Sequence, residues 1–269
     1  MGERDTSRRR SSRATAVDTG VGVLDRAITI LDAVEGGART FTDLVRATGF
    51  SRPTTHRLIK AMEEHGLLSL RGGLGYRLGP RLLRLAAVAM AELPLRDLAR
   101  PALERLAEVT GESAQLYVRS GDERVCVDAV ESTSELRTIV HVGSSLPLTA
   151  GSAGKVFVAW ASEPDRERLL RRVERFTPRT PTATQLRGQT DAIRHRGWSM
   201  SSGERERGVG SVSAAVLGQD DELVAVVSMS GPESRVGTLA ARRFSRAVTA
   251  AAREIERALG ISRPSRRPR

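Results

Sequence analysis

The sequence predicts an α+β protein, with an N-terminal winged helix-turn-helix joined by a linker helix to a larger α+β domain whose sheet is mostly antiparallel. Three observations predict it. Thr40 to Gly79 reads as helix, tight turn, helix and two-stranded wing. Pro80 opens a run too apolar for an open surface. Beyond Gly111, short alternating segments interleave with helical ones.

From Leu24 to Glu35 the apolar residues Leu24, Ala27, Ile28, Leu31 and Val34 follow helical spacing, and Gly36-Gly37 stops the run. A second helix over Thr42–Thr48 closes on Gly49, a residue suited to the left-handed position after a helix end. Ser51 or Arg52 then caps a third, with Pro53 in its first turn, where a missing N–H costs nothing. Leu58, Ile59 and Met62 share one face of it. Arg52, Thr54, Thr55, His56, Arg57 and Lys60 fall on another face or near the N-terminal end. A helix that buries one side and offers Arg, Thr and His on the other suits the major groove of double-stranded DNA. Gly66 ends it. Leu68, Leu70, Tyr76 and Leu78 then flank Arg71-Gly72-Gly73, a hairpin tip whose cation either touches a phosphate or solvates the turn.

Leu82, Leu83, Leu85, Ala86, Val88 and Ala89 give the run after Pro80 a broad apolar surface that wants burial on more than one side. It is read as the linker helix and a dimer contact, broken by Pro94 and followed by a helix over Leu95–Val109. Ser113–Ser120 and Arg124–Glu131 pair as strands through Gly121-Asp122, and Glu135–Val142 is a third β segment. Gly151-Ser152-Ala153-Gly154-Lys155 opens a helix carrying Val156, Phe157, Val158 and Trp160. Helices over Asp165–Val173 and Thr184–Arg196 follow, then strands around Ser199, at Val209–Leu217 and at Leu223–Ser230, and a final helix over Val236–Leu259. The expected organisation is a disordered basic arm (1–20), the winged helix-turn-helix (21–79), the linker helix (80–94), the second domain (95–259) and a basic disordered tail (260–269).

The charge is placed accordingly. The chain carries a net +11 over 269 residues, with 39% apolar and only 3% aromatic residues, too few aromatics for a base-stacking single-strand binder. Residues 1–93 hold 15 Lys and Arg against 10 Asp and Glu, and the last ten residues add four arginines. The long stretch between is left with 24 against 22. The surplus therefore flanks the DNA-reading unit. A single cysteine, Cys126, excludes an intramolecular disulfide and a thiolate-rich metal site and reads as a small buried residue. No apolar run reaches the length of a membrane span, and the N-terminus is polar where a signal peptide is apolar, so a reducing cytoplasm is expected.

Catalysis finds no support. G-x-S-x-G is absent; Ala150 to Lys155 lacks the glycine spacing of a phosphate loop and has Val156 where Ser or Thr would hold Mg²⁺; His56, His65, His141 and His195 are scattered. No cofactor is expected. Binding fares better. Gly143–Ser145, Gly151–Gly154, Ser201–Gly203, Gly210–Ser213 and Ser228–Gly231 place hydroxyls and small residues at strand ends or helix starts. The helix start near Ser152 offers free N–H groups to a carboxylate or phosphate; alternatively, these glycines and serines only mark turns.

The whole chain resembles the IclR family of bacterial transcriptional regulators. GVGVLDRAITILDAV, FTDLVRATGFSRPTTHRLIKAMEEHGLL and GYRLGPRLLRLA are similar to its winged domain and linker helix. GESAQLYVR, RVCVDAVES, LPLTAGSAGKVFVAW, GERERGVGSVSAAV and VAVVSMSGP are similar to its effector domain. The resemblance implies a GAF-like α+β effector-binding domain, DNA-bound dimers or tetramers on palindromic operators, and a small, frequently carboxylate-bearing ligand. It implies that Arg52, Thr54, Thr55, His56, Arg57 and Lys60 face the operator, with Arg71 in the wing. It also places the ligand pocket at Gly151, Ser152 and Ala153, with Ser201, Ser211, Ser228 and Ser230 opposite and Leu146 beside them. Where some acid-binding members carry an acidic residue, this chain has Ser201. Within the family, ESAQLYVR and GERERGVGSVSA most resemble actinobacterial regulators of leucine and other amino-acid biosynthesis. Two other classes stay open, a nonspecific nucleoid-binding protein and a small-molecule enzyme built on the second domain. A regulator of an aromatic- or organic-acid catabolic operon is the neighbouring alternative within the family.

Overall fold

Helix α1 (Gly22–Glu35) turns Ile30 and Val34 onto Leu44 of α2 (Phe41–Thr48) and onto Leu58, Ile59 and Met62 of α3 (Arg52–Glu64). Each large side chain so buried contributes about 1.5–3 kcal/mol. The turn between α2 and α3 is fixed at both ends. Thr40 and Asp43 form a reciprocal capping box at the start of α2, and Gly49 ends it at φ +71 with its N–H on Val45. The Ser51 hydroxyl accepts from Thr54 N to cap α3. Strands β1 (Leu68–Arg71) and β2 (Gly75–Leu78) pair antiparallel with Leu70 opposite Tyr76. Gly75 sits at φ +70 with Tyr76 N bonded to Arg39 O at 2.7 Å; a Cβ there would lie 2.3 Å from that carbonyl, so only glycine lets the wing seat on the chain before α2. Helix α4 (Pro80–Ala91) completes this unit and exposes Leu83, Leu85 and Val88.

The computed structural model describes residues 21–71, 74–91, 94–237 and 241–261, and the chain divides into two compact units, 1–92 and 93–269. The basic arm 1–20, the Gly72-Gly73 tip, the side chain of Arg71 and residues 262–269 of the tail lie outside the described residues.

The second unit is a six-stranded antiparallel sheet between two helical layers. Its strands are β3 (Ser113–Ser120), β4 (Glu123–Val130), β5 (Ser145–Pro147), β6 (Trp198–Ser202), β7 (Val209–Leu217) and β8 (Leu223–Pro232), in the order β5-β4-β3-β8-β7-β6. The two-residue period sorts the faces. Ala114, Leu116, Val212, Ala214, Val216, Ala225, Val227 and Met229 pack under α5 (Pro94–Thr110) and α9 (Ala241–Ala258). Their alternates Tyr117, Ala215 and Val226 pack under α6 (Gly151–Trp160), α7 (Glu163–Leu170) and α8 (Ala183–Arg196). The same parity sends Gln115, Ser211, Ser213, Ser228 and Ser230 to the α6 side, where Gln115 bonds to Ser230, Ser213 to Ser228, and Ser211 and Ser213 to Ser152 of α6. An irregularity between Leu116 and Tyr117 leaves Val127 unpaired, so Asp128 turns to the α5 side and meets Arg100 at 3.1 Å, while Cys126 stays under α6.

Two expectations need correction. Glu135–Val142 is not a strand: its Thr138 and Leu136 carbonyls accept from the side chains of Ser113 and Arg235 instead of a ladder, and the strand after it is the short β5. The final helix starts at Ala241 among the described residues, not at Val236, which is buried in a bend. Helix α5 is described from Pro94 and continues through Pro101, and residues 92 and 93 between it and α4 lie outside the described residues.

Candidate DNA-reading face and effector recess

On α3 the residues sort by burial. Arg52, His56, Arg57 and Lys60 are exposed and Thr54 is half-buried. Thr55 corrects the expectation: it is fully buried and its hydroxyl turns back to the Ser51 carbonyl at 3.1 Å, so its side chain supports the turn and offers nothing to DNA. Phe41, at the start of α2, organises two of the exposed residues. The Arg52 guanidinium lies 5.0 Å over its ring and the His56 ring meets it edge-on at 6.4 Å. The result is an exposed row of cations and donors on a helix whose other side is locked into the core.

The second unit holds a small recess, with free space of about 40 Å³, between the sheet and the start of α6. All eight residues expected around a ligand line it: Leu146, Gly151, Ser152, Ala153, Ser201, Ser211, Ser228 and Ser230. Its polar wall is a chain of four serine hydroxyls and a separate Ser230–Gln115 pair. Ser152 bonds to Ser211 and Ser213, each at 2.7 Å; Ser213 donates to Ser228 at 2.8 Å; and Ser230 exchanges bonds with Gln115. Helix α6 begins here without a side-chain cap, and Gly151, Ser152 and Ala153 of its first turn line the recess, which places the positive end of the helix beside it.

Sequence reasoning missed Tyr117, Arg124, Thr138, Val140, Arg205, Glu206 and Val209, which also line the recess. Arg124 is 3% exposed and donates to the carbonyls of Pro147 and Ala150, the latter at 3.1 Å. It thereby braces the loop that leads into α6. Burial pulls its pKa down to about 10, and burial pushes the Tyr117 phenol beneath it up to about 12. The backbone is close enough that a Cβ at Gly154 would lie 2.4 Å from the Leu148 carbonyl and 2.8 Å from the Arg124 guanidinium. Glycine is therefore required twice in Gly151-Ser-Ala-Gly154, the first time for a left-handed φ of +81. Arg205 and Glu206 come from the β6–β7 loop, pinned by Lys155 of α6 on Glu204 at 2.5 Å and by the Thr177 hydroxyl on Gly203 O at 2.6 Å. Cys126 is buried, its thiol pushed up to about 12 chiefly by desolvation, which is a packing residue and not a nucleophile. Among the described residues no cluster of His, Cys, Asp or Glu could hold a metal, and no helix is long and apolar enough to cross a membrane.

Both halves of the chain match one family. The profile of the IclR helix-turn-helix domain covers residues 23–72, and that of the bacterial transcriptional regulator IclR C-terminal domain covers residues 87–257. The chain belongs to the IclR family. It is 33% identical over 260 residues to the HTH-type transcriptional regulator BhcR of Paracoccus denitrificans, covering 94% of this chain and 93% of that one. It is 30% identical over 261 residues to the transcriptional repressor IclR of Escherichia coli, covering 94% and 95%. Among solved structures it is similar to an IclR homolog from Microbacterium hydrocarbonoxydans complexed with 4-hydroxybenzoate, with a TM-score of 0.76, 26% identity and coverage of 89% and 100%. These IclR relatives are transcriptional regulators and not enzymes. The chain is accordingly a ligand-responsive, DNA-binding regulator of the IclR type, with a helix-turn-helix domain and a C-terminal effector-binding domain.

Proposed function

We propose that this IclR-type regulator reads a palindromic operator with Arg52, Thr54, His56, Arg57 and Lys60 of α3, and with Arg71 at the wing. We propose also that a small acid in the recess sets its operator affinity. The observation that carries the effector reading is the recess itself: eight expected residues from five separate segments meet around one cavity at an uncapped helix start. The effector acts through its differential affinity for arrangements of the protein that bind DNA well and badly, and so changes operator occupancy without chemistry. Exposed Leu83, Leu85 and Val88 on α4, with Val23, Leu24 and Ile28 on α1, support self-association into the dimer or tetramer that a palindrome requires.

Amino-acid biosynthesis is the proposed regulon class. Its support is the likeness of two segments, ESAQLYVR and GERERGVGSVSA, both of which contribute residues to the recess. One observation favours a second reading, control of an aromatic-acid catabolic operon: the Microbacterium relative is complexed with 4-hydroxybenzoate. Footprinting over the promoters flanking the gene, with and without branched-chain amino acids or 4-hydroxybenzoate, tests both. A discrete palindromic footprint altered by one ligand class supports that reading. Uniform protection of random DNA, steeply salt-dependent, would return the protein to the nucleoid-binding class.

A further inference from the structure

An ion moved from water into a protein interior loses several kcal/mol unless a counter-charge and hydrogen bonds replace its hydration. Five charged residues are buried among the described ones, and three of them, Glu112, Asp128 and Lys155, hold an opposite charge. Glu112 is forked by Arg235 at 2.5 and 2.9 Å, Asp128 takes Arg100 at 3.1 Å, Lys155 takes Glu204 at 2.5 Å, and Glu256 accepts Leu217 N at 2.8 Å. Arg124 is the buried cation with no carboxylate paired to it.

Its bonds to the Pro147 and Ala150 carbonyls fix the guanidinium in place without neutralising it, and its Nε has no partner. The groups that act on its charge are the Tyr117 ring, 5.4 Å away, the Cys126 thiol and Arg205, a second cation of the recess lining. The acid of that lining, Glu206, is engaged by Arg205 at 3.3 Å. The uncapped start of α6 adds its positive end to the same space.

We propose that Arg124 is the specificity-determining residue of the recess: its unpaired charge is the half of an ion pair that the effector completes, so the site takes acids and rejects their amides. This rests on the reading of the recess as the effector site. It separates Arg124 from a purely bracing residue, because bracing needs its N–H groups and not its net charge. An anion beside Arg124 also offsets the repulsion between Arg124 and Arg205, which couples binding to the loop carrying Glu204 to Gly208.

The test is calorimetric titration of the full chain with matched acid and amide pairs, from acetate and acetamide to benzoate and benzamide. In the wild type the acid of a binding pair should be favoured at least ~30-fold, the lower end of what losing one partner of a buried charge pair costs. Arg124→Met should bring that ratio close to one, and Arg124→Lys, which restores the charge without the fork, should recover most of it. If Arg124→Met does not fold, the wild-type ratio decides alone. Equal binding of acid and amide, or full discrimination by Arg124→Met, would overturn the proposal and leave the effector site standing. Absence of binding by every pair in the wild type would overturn the effector reading and this inference with it.

Discussion

The DNA-reading helix and the effector recess solve opposite problems. On α3 the working groups are exposed and held by neighbours a few residues away: Ser51 caps, Thr55 folds back, Phe41 stacks Arg52 and His56. In the recess they are buried, and each depends on partners tens of residues away, as when Ser152 bonds to Ser211 and Ser213. An exposed face is limited by placement of charge and tolerates loss of a side chain. A buried one is limited by satisfaction of polar groups, and one lost partner leaves another orphaned.

Gly154→Ala should break this contrast most strongly. The new Cβ has the Leu148 carbonyl at 2.4 Å and cannot be absorbed by a flexible side chain, so a cost of about 3 kcal/mol is expected in the second unit. Both tryptophans, Trp160 and Trp198, lie in that unit, so the loss should appear in tryptophan-detected unfolding. Arg57→Ala is the counterpart on the exposed face. It should weaken operator binding by about 100-fold, up to ~3 kcal/mol, while the unfolding curve stays where it was. Unchanged affinity would show that α3 is not the reading helix. Ser213→Ala comes next, at about 1–2 kcal/mol, because Ser152 and Ser228 each lose a buried partner; an unshifted denaturation midpoint would mean the hydroxyl chain adds no net stability.

The same contrast explains what was legible in the sequence. Caps and turns are local chemistry, so Gly49, Ser51 and the two-helix unit could be read directly. The serines of β7 and β8 announce a polar face by parity alone, but the recess residues were placed by resemblance to a family, since spacing could not separate pocket from turn. Arg124 was illegible. In Arg124-Val-Cys-Val it looks like any arginine at a strand start, and only Pro147 to Gly151 folding over it makes it a buried cation. Glu135–Val142 misled for a related reason. Thr138 and Val140 reach the recess on either side of exposed Ile139, but Leu136 and Val142 of the same parity are exposed, and side chains rather than a neighbouring strand take its carbonyls. Thr55 was misplaced because α3 uses it as a second internal bond at the turn.

The smallest expected effect sharpens the local side of the comparison. Hydrogen bonds from the Thr40 hydroxyl and backbone hold the Asp43 carboxyl below its ordinary pKa of 3.8. A carboxyl whose folded pKa is depressed adds stability that is fully present above its unfolded pKa and is lost as pH falls through the folded value. The first unit should therefore lose this contribution on acidification below pH ~4. Asp43→Asn, which keeps the shape of the cap and cannot titrate, should lower stability slightly at neutral pH and flatten the difference from wild type in acid. The first unit has no tryptophan, so amide exchange of α2 is the readout. Exchange rates in α2 that respond to acid identically in both proteins would show that the capping box holds the turn by geometry alone, with the carboxylate charge contributing nothing.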